Sequence, residues 1–190
     1  MITRTANSPE VSGTVYAVAS DFCRIFSDDM GGLYQLSLCL TADPAKAEQC
    51  FVSGLEDSRQ SNRVFKEWAR SWARRTIIQN AIRMMGPARK HAEQATRATA
   101  GEVKTPGNNV PLAALLGLPT FERFVFVMSV LERLSDQDCK TLLGCSRQDI
   151  VRARIQAMKR MATFDQTRVP DVALGVGKLF MQRHLLPETA

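Results

Sequence analysis

The chain has 190 residues, 45% of them hydrophobic and 7% aromatic, with a formal net charge of +6. That apolar content excludes wholesale disorder, and the length suits one domain or two small ones. No apolar run approaches the ~18 residues of a spanning helix and no signal peptide is recognisable, so the expectation is a cytoplasmic protein without membrane contact.

Charge is unevenly spread. Residues 1–58 carry 3 basic and 8 acidic side chains, whereas residues 59–104 carry 11 and 3. The swing from −5 to +8 predicts a polyanion-binding face beside an acidic one. The five cysteines, Cys23, Cys39, Cys50, Cys139 and Cys145, form no C-x-x-C and sit among apolar residues. They read as buried free thiols in a reducing compartment. His91 and His184 are far apart and no metal-ligand spacing is present, so no metal and no cofactor are expected. No phosphate-cradling glycine loop, nucleophile elbow or zinc-protease helix occurs. No catalytic residue is therefore assigned, and the chain reads as a binding protein rather than an enzyme.

In chain order, residues 1–13 are polar and expected to fray. Apolar residues then recur at helical spacing over 15–41, with Asp28, Asp29 and Gly31-Gly32 dividing the stretch into two helices. Asp43-Pro44 reads as an N-cap followed by proline at the first helical position, which predicts a helix over 44–55. Residues 56–62 (E-D-S-R-Q-S-N) are turn-prone. A long helix is expected over 63–85, with Phe65, Trp68, Trp72, Ile77, Ile78 and Ile82 roughly on one side. Trp68 and Trp72 are four apart and read as core. Gly86-Pro87 stops the helix. Residues 87–111 read as a linker, with turn chemistry in the P-G-N-N of 106–109. Beyond it an apolar helix is expected over 121–134. Ser135 caps a helix over 136–143, Gly144 ends it, and Ser146 caps a third helix to about residue 161. The tail contains V-A-L-G-V-G-K-L-F-M, compatible with one more amphipathic helix. The expected fold is all-α: two small helical domains, 14–86 and 112–164, joined by the linker 87–111, the C-terminal one a helix-turn-helix, with a tail over 165–190.

The stretch D-Q-D-C-K-T-L-L, G-C-S, R-Q-D-I-V-R-A-R-I-Q-A-M-K-R-M has the form of two helices around one tight turn. Cys139, Leu142, Leu143, Cys145, Ile150, Ala157 and Met161 are expected to pack inward. Arg147, Gln148, Arg152, Arg154, Lys159 and Arg160 are expected to face out. Glutamine suits adenine, and arginine suits guanine or phosphate. The same pattern also fits the last hairpin of an ordinary bundle.

Residues 118–150 resemble region 4 of bacterial sigma factors of the extracytoplasmic-function group. Leu118-Pro119, Arg123, Glu132, Leu134-Ser135, Leu143-Gly144, Ser146 and Ile150 stand where that family's pattern places them. L-Y-Q-L-S-L-C-L-T-A-D-P-A-K-A-E-Q (33–49) is similar to the start of region 2. W-A-R-R-T-I-I-Q-N-A-I-R (72–83) is similar to that region's tryptophan, isoleucine and asparagine helix. The two domains so matched cover about two thirds of the chain, in the family's order.

The resemblance implies a factor whose region 2 binds RNA polymerase and opens the −10 promoter element while region 4 reads the −35 element. The −35 contacts then fall on Ser146, Arg147, Gln148, Arg152 and Arg154. The −10 contacts fall on Arg59, Asn62, Arg63, Arg74, Arg75, Asn80 and Arg83, and polymerase contacts on Glu48, Gln49, Val52, Ser53 and Glu56. The implied partners are double-stranded promoter DNA, bacterial core RNA polymerase and an anti-sigma factor that clamps both domains. The chain departs from the family at 49–55, which read Q-C-F-V-S-G-L where D-L-V-Q-E-T-F is usual. Gly54 weakens that helix by up to about 1 kcal/mol relative to alanine. The missing carboxylates open a second reading, a sigma-like DNA-binding regulator or protein-interaction module that no longer binds core polymerase. Ala153 stands where the family often has arginine, with Arg152 and Arg154 on either side, so the bases read are not carried over.

Overall fold

A computed structural model describes residues 15–61, 63–87 and 110–167. The expected N-terminal fraying, most of the linker with its turn at 106–109, and the tail helix beyond 170 lie outside the described residues. The described fold is all-α, apart from one antiparallel bridge between Tyr16 and Phe65.

Helix α1 (Ala19–Asp28) buries Phe22, Ile25 and Phe26, the i, i+3, i+4 spacing of one helical face. Asp21 closes its first turn by accepting from the Val18 N–H at 3.0 Å. The expected break falls at Asp29, and α2 (Met30–Thr41) runs through both glycines. Asp43 caps α3 (Pro44–Gln60) as expected, accepting from the Lys46 N–H at 3.0 Å with Pro44 in the first position.

Helix α3 continues five residues past its expected end, through E-D-S-R-Q. Ser58 is buried there, donating to the Gly54 carbonyl at 2.7 Å and lying 2.8 Å from the Thr76 hydroxyl. Packing satisfies its polar group and overrides the weak local preference for a turn. Conversely, α4 (Ala69–Met85) starts six residues later than expected. Val64 and Phe65 are extended because this stretch pairs with 15–17: Ala17 N–H donates to the Val64 carbonyl at 2.7 Å and Lys66 N–H to the Val15 carbonyl at 3.0 Å. A 3₁₀ turn, Lys66–Trp68, follows. Trp68 therefore lies outside α4 and is 58% exposed, not a core residue, while Trp72 is half-buried.

In the second half, α5 (Val110–Leu116) begins inside the expected linker. Helix α6 (Thr120–Phe126) buries Phe121, Phe124 and Val125 and passes into a π turn, Val127–Leu131, rather than continuing as α. There Glu132 N–H donates to the Val127 carbonyl at 2.9 Å, an i to i+5 bond. Clustered β-branched residues (Val125, Val127, Val130) and the Ser129 hydroxyl, which donates to the Val125 carbonyl at 2.6 Å, weaken the α register. Helices α7 (Asp136–Leu143) and α8 (Arg147–Thr167) complete the fold.

The buried apolar residues of both halves form one cluster. Phe22, Phe26, Leu33, Leu40 and Ile77 belong to it together with Phe124, Val125, Val127, Met128 and Ile150. Arg123 sits at this junction, only 4% exposed. Its guanidinium donates to the carbonyls of Leu40 at 3.3 Å, Leu116 at 3.4 Å and Leu118 at 2.9 Å. Leu40 and Leu116 lie at the C-terminal ends of α2 and α5, where the helix dipole is negative and favours a cation. Burial lowers the Arg123 pKa to about 10, which leaves it charged at neutral pH. All five cysteines are free. Burial pushes the thiols of Cys39, Cys50 and Cys139 up to about 11. Cys145 is half-buried and Cys23 exposed, so the expectation of burial fails for Cys23.

Candidate nucleic-acid interface

Three local features set the angle between α7 and α8. Ser135 caps α7, accepting from the Asp138 N–H at 3.1 Å. Gly144 ends it at φ 61°, a left-handed conformation that glycine adopts without a Cβ penalty. Ser146 and Asp149 then cap α8 reciprocally: the Asp149 N–H donates to Ser146 Oγ at 3.2 Å, and the Ser146 N–H to Asp149 Oδ2 at 3.2 Å.

Ile150, Ala153 and Ala157 bury one face of α8. The opposite face presents Gln148, Arg152 and Lys159, and Arg147 projects from the first position of the helix; all four are exposed. Ser146 lies beside them, its hydroxyl engaged with Asp149 Oδ2 at 2.7 Å. Arg154 is turned away from this face. It pairs with Asp136 and donates from Nε to the Ser129 hydroxyl at 3.0 Å, so it ties α8 to α7 and to the π turn. Arg147 approaches the same Asp136 at 3.4 Å but keeps a side chain 79% exposed. The hydrogen bond from Arg154, with help from Arg147, holds the Asp136 carboxyl below its ordinary value. Arg160 reaches Glu122 at 2.9 Å, and burial still raises the Glu122 pKa against that cation.

Sequence reasoning missed the large apolar side chains interleaved with these cations. Val151, Ile155 and Met158 all stand in solvent. The signal was present in their angular position opposite Ile150, Ala153 and Ala157.

No family model, curated protein or solved structure matches this chain. Among the described residues, no cluster of His, Cys, Asp and Glu could hold a metal ion, and no helix is long and apolar enough to cross a membrane.

The residues expected to meet the −10 element do not form one patch. Arg59 and Arg63 are exposed around the end of α3, Arg63 in a left-handed conformation at φ 64°. Asn62 lies outside the described residues. Arg74 faces the second half: its Nε and Nη2 each lie 2.6 Å from a Glu132 oxygen, and Nη1 lies 3.3 Å from Asp29. The bond to Glu132 raises the Arg74 pKa further above its ordinary value. Arg75 approaches Asp138 at 3.8 Å. Asn80 is buried and donates to Asp57 and to the Thr76 carbonyl, each at 2.9 Å. Arg83 pairs with the same Asp57.

The residues expected to meet polymerase do share a surface. Glu48, Gln49, Val52 and Glu56 are exposed along α3, with Ser53 half-buried at its edge. Gly54 points the other way, onto α4. A Cβ there would lie 2.8 Å from Ile77 Cγ1, so glycine permits the two helices to approach.

Proposed function

We propose that this chain is a DNA-binding initiation factor of the extracytoplasmic-function sigma type, without catalysis of its own. In this reading the α1–α4 half engages core RNA polymerase and the −10 element, and α8 reads the −35 element in duplex DNA. Promoter DNA, core polymerase and an anti-sigma factor are its partners, in the cytoplasm. The observation that carries the reading is the outer face of α8. Directly behind a glycine turn, a helix anchored by Ile150, Ala153 and Ala157 exposes Arg147, Gln148 and Arg152 in its first two turns. Those are the turns that face base edges when such a helix enters the major groove.

The test is duplex binding by the full chain. Arg147→Glu combined with Arg152→Glu should abolish it while the helical circular dichroism stays unchanged, because both side chains are exposed. Phosphate neutralisation by Arg147, Arg152 and Lys159 would give log affinity against log salt a slope of about −3. Unchanged affinity, or a flat salt response, would overturn the reading.

A second reading, a sigma-like regulator without core polymerase, is favoured by the outer face of α3. It offers Gln49 and a 47%-exposed Val52 where carboxylate and amide are usual in the family. Capture of bacterial core polymerase by the native chain and by Gln49→Asp/Val52→Gln/Ser53→Glu separates the two. These substitutions leave Cys50 and Gly54 untouched, since both are buried and larger side chains there would disrupt the core. Capture by the native chain supports the initiation factor, and capture by the variant alone supports the regulator.

A further inference from the structure

Phosphate contacts do not account for the apolar side chains on the outer face of α8. Val151, Ile155 and Met158 are 40%, 48% and 49% exposed, although a solvated face gains nothing from them. At about 100° per residue, Ile155 lies within about 20° of Gln148 on the crest opposite the buried face. Val151 lies about 40° to one side of Ile155.

The arrangement discriminates between occupants. A partner helix would call for an apolar seam rimmed by charges of both signs. Val151, Ile155 and Met158 do follow one another at i, i+4 and i+7, but this stripe is rimmed by Arg147 on one side and by Gln148, Arg152 and Lys159 on the other, with no carboxylate among them. The cations select a polyanion. The major groove of duplex DNA combines that charge with both other chemistries, since adenine offers N6 and N7 to an amide and thymine offers a C5-methyl group to an apolar side chain.

Resting on the groove-reading function proposed above, we infer that Val151 and Ile155 are specificity-determining residues that pack against thymine methyl groups beside an adenine held by Gln148. The site under the first turns of α8 is therefore A·T-containing. Met158, a turn farther along, lies beyond the N-terminal turns that meet base edges.

The full chain is first used to select duplexes from a random-sequence pool. Recovered duplexes are then measured with thymine and with deoxyuridine, which lacks only the methyl group, one position at a time. The expected result is recovered sites rich in A·T, with affinity falling about threefold to fourfold at each methyl that is contacted. Val151→Ala and Ile155→Ala should each lose the sensitivity at one position while still binding DNA. Both side chains are exposed, so these variants keep their fold. Tight binding with thymine and deoxyuridine bound equally overturns the inference and leaves the groove-reading function standing. Recovery of no duplex overturns both. Light scattering that shows a dimer lost in Val151→Ala would assign the face to a second copy of the chain and also overturn the inference.

Discussion

Asp136 holds two cations at the start of α7, and they serve different purposes. Arg154 is bound inward against it, and Arg147 only touches it from solvent. Because the folded carboxyl is held below its ordinary value of 3.8, its contribution to stability is complete above that value. The contribution is lost as pH falls through the lower, folded pKa. Asp136→Asn should therefore be less stable than the native chain at pH 7, and the gap should close as unfolding is followed below about pH 4. A gap that persists in acid would mean that Asp136 acts through packing rather than charge. The sequence placed Gln148 and Arg152 in solvent correctly, because helical spacing alone decides what lies opposite Ile150, and Arg147 is exposed as the first residue of the helix. It misplaced Arg154, which stands near the boundary of the exposed face. Its partners, Asp136 and Ser129, come from other elements, and spacing within α8 carries no trace of them.

At the scale of elements, ends were legible and long-range pairings were not. Asp43, Ser135, Gly144 and Ser146 act within three or four residues of themselves, so their roles could be read directly. The extended backbone of Val64 and Phe65 beside 15–17 and the extension of α3 to Gln60 depend on partners far along the chain. Gly54 shows the same contrast. By propensity it weakens α3, and by packing it lets α3 meet α4. Gly54→Ala should gain up to about 1 kcal/mol in helix propensity. It should lose about 1–3 kcal/mol to overpacking, because Ile77 is fully buried and β-branched and cannot turn aside. The expected net result is destabilisation of about 1 kcal/mol by urea unfolding. A more stable variant would show that the two helices separate without cost.

For the whole molecule, the composition of the sequence announced helices, but not that the two halves share one apolar core. The contact between them combines that core with the bidentate Arg74–Glu132 pair, a strong charge-assisted geometry. Glu132→Gln should cost about 2 kcal/mol and lower the melting temperature by roughly 4–8 °C. A single calorimetric transition is expected for both proteins. Two separate transitions would mean that the halves unfold independently, as the linker at 87–111 suggests. In the initiation-factor reading, Arg74 and Arg75 become free for DNA only when this contact opens. Arg123 gives the junction a second consequence. Its guanidinium and the Leu40 carbonyl that it binds are separated by 83 positions in the chain. A ribosome adding about 5–20 residues per second makes α2 some 4–17 s before its partner. Through that interval the α2 surface that later meets α6 faces solvent, with α1, α3 and α4 to support it. The half of the molecule made last is the one that closes the core of the half made first.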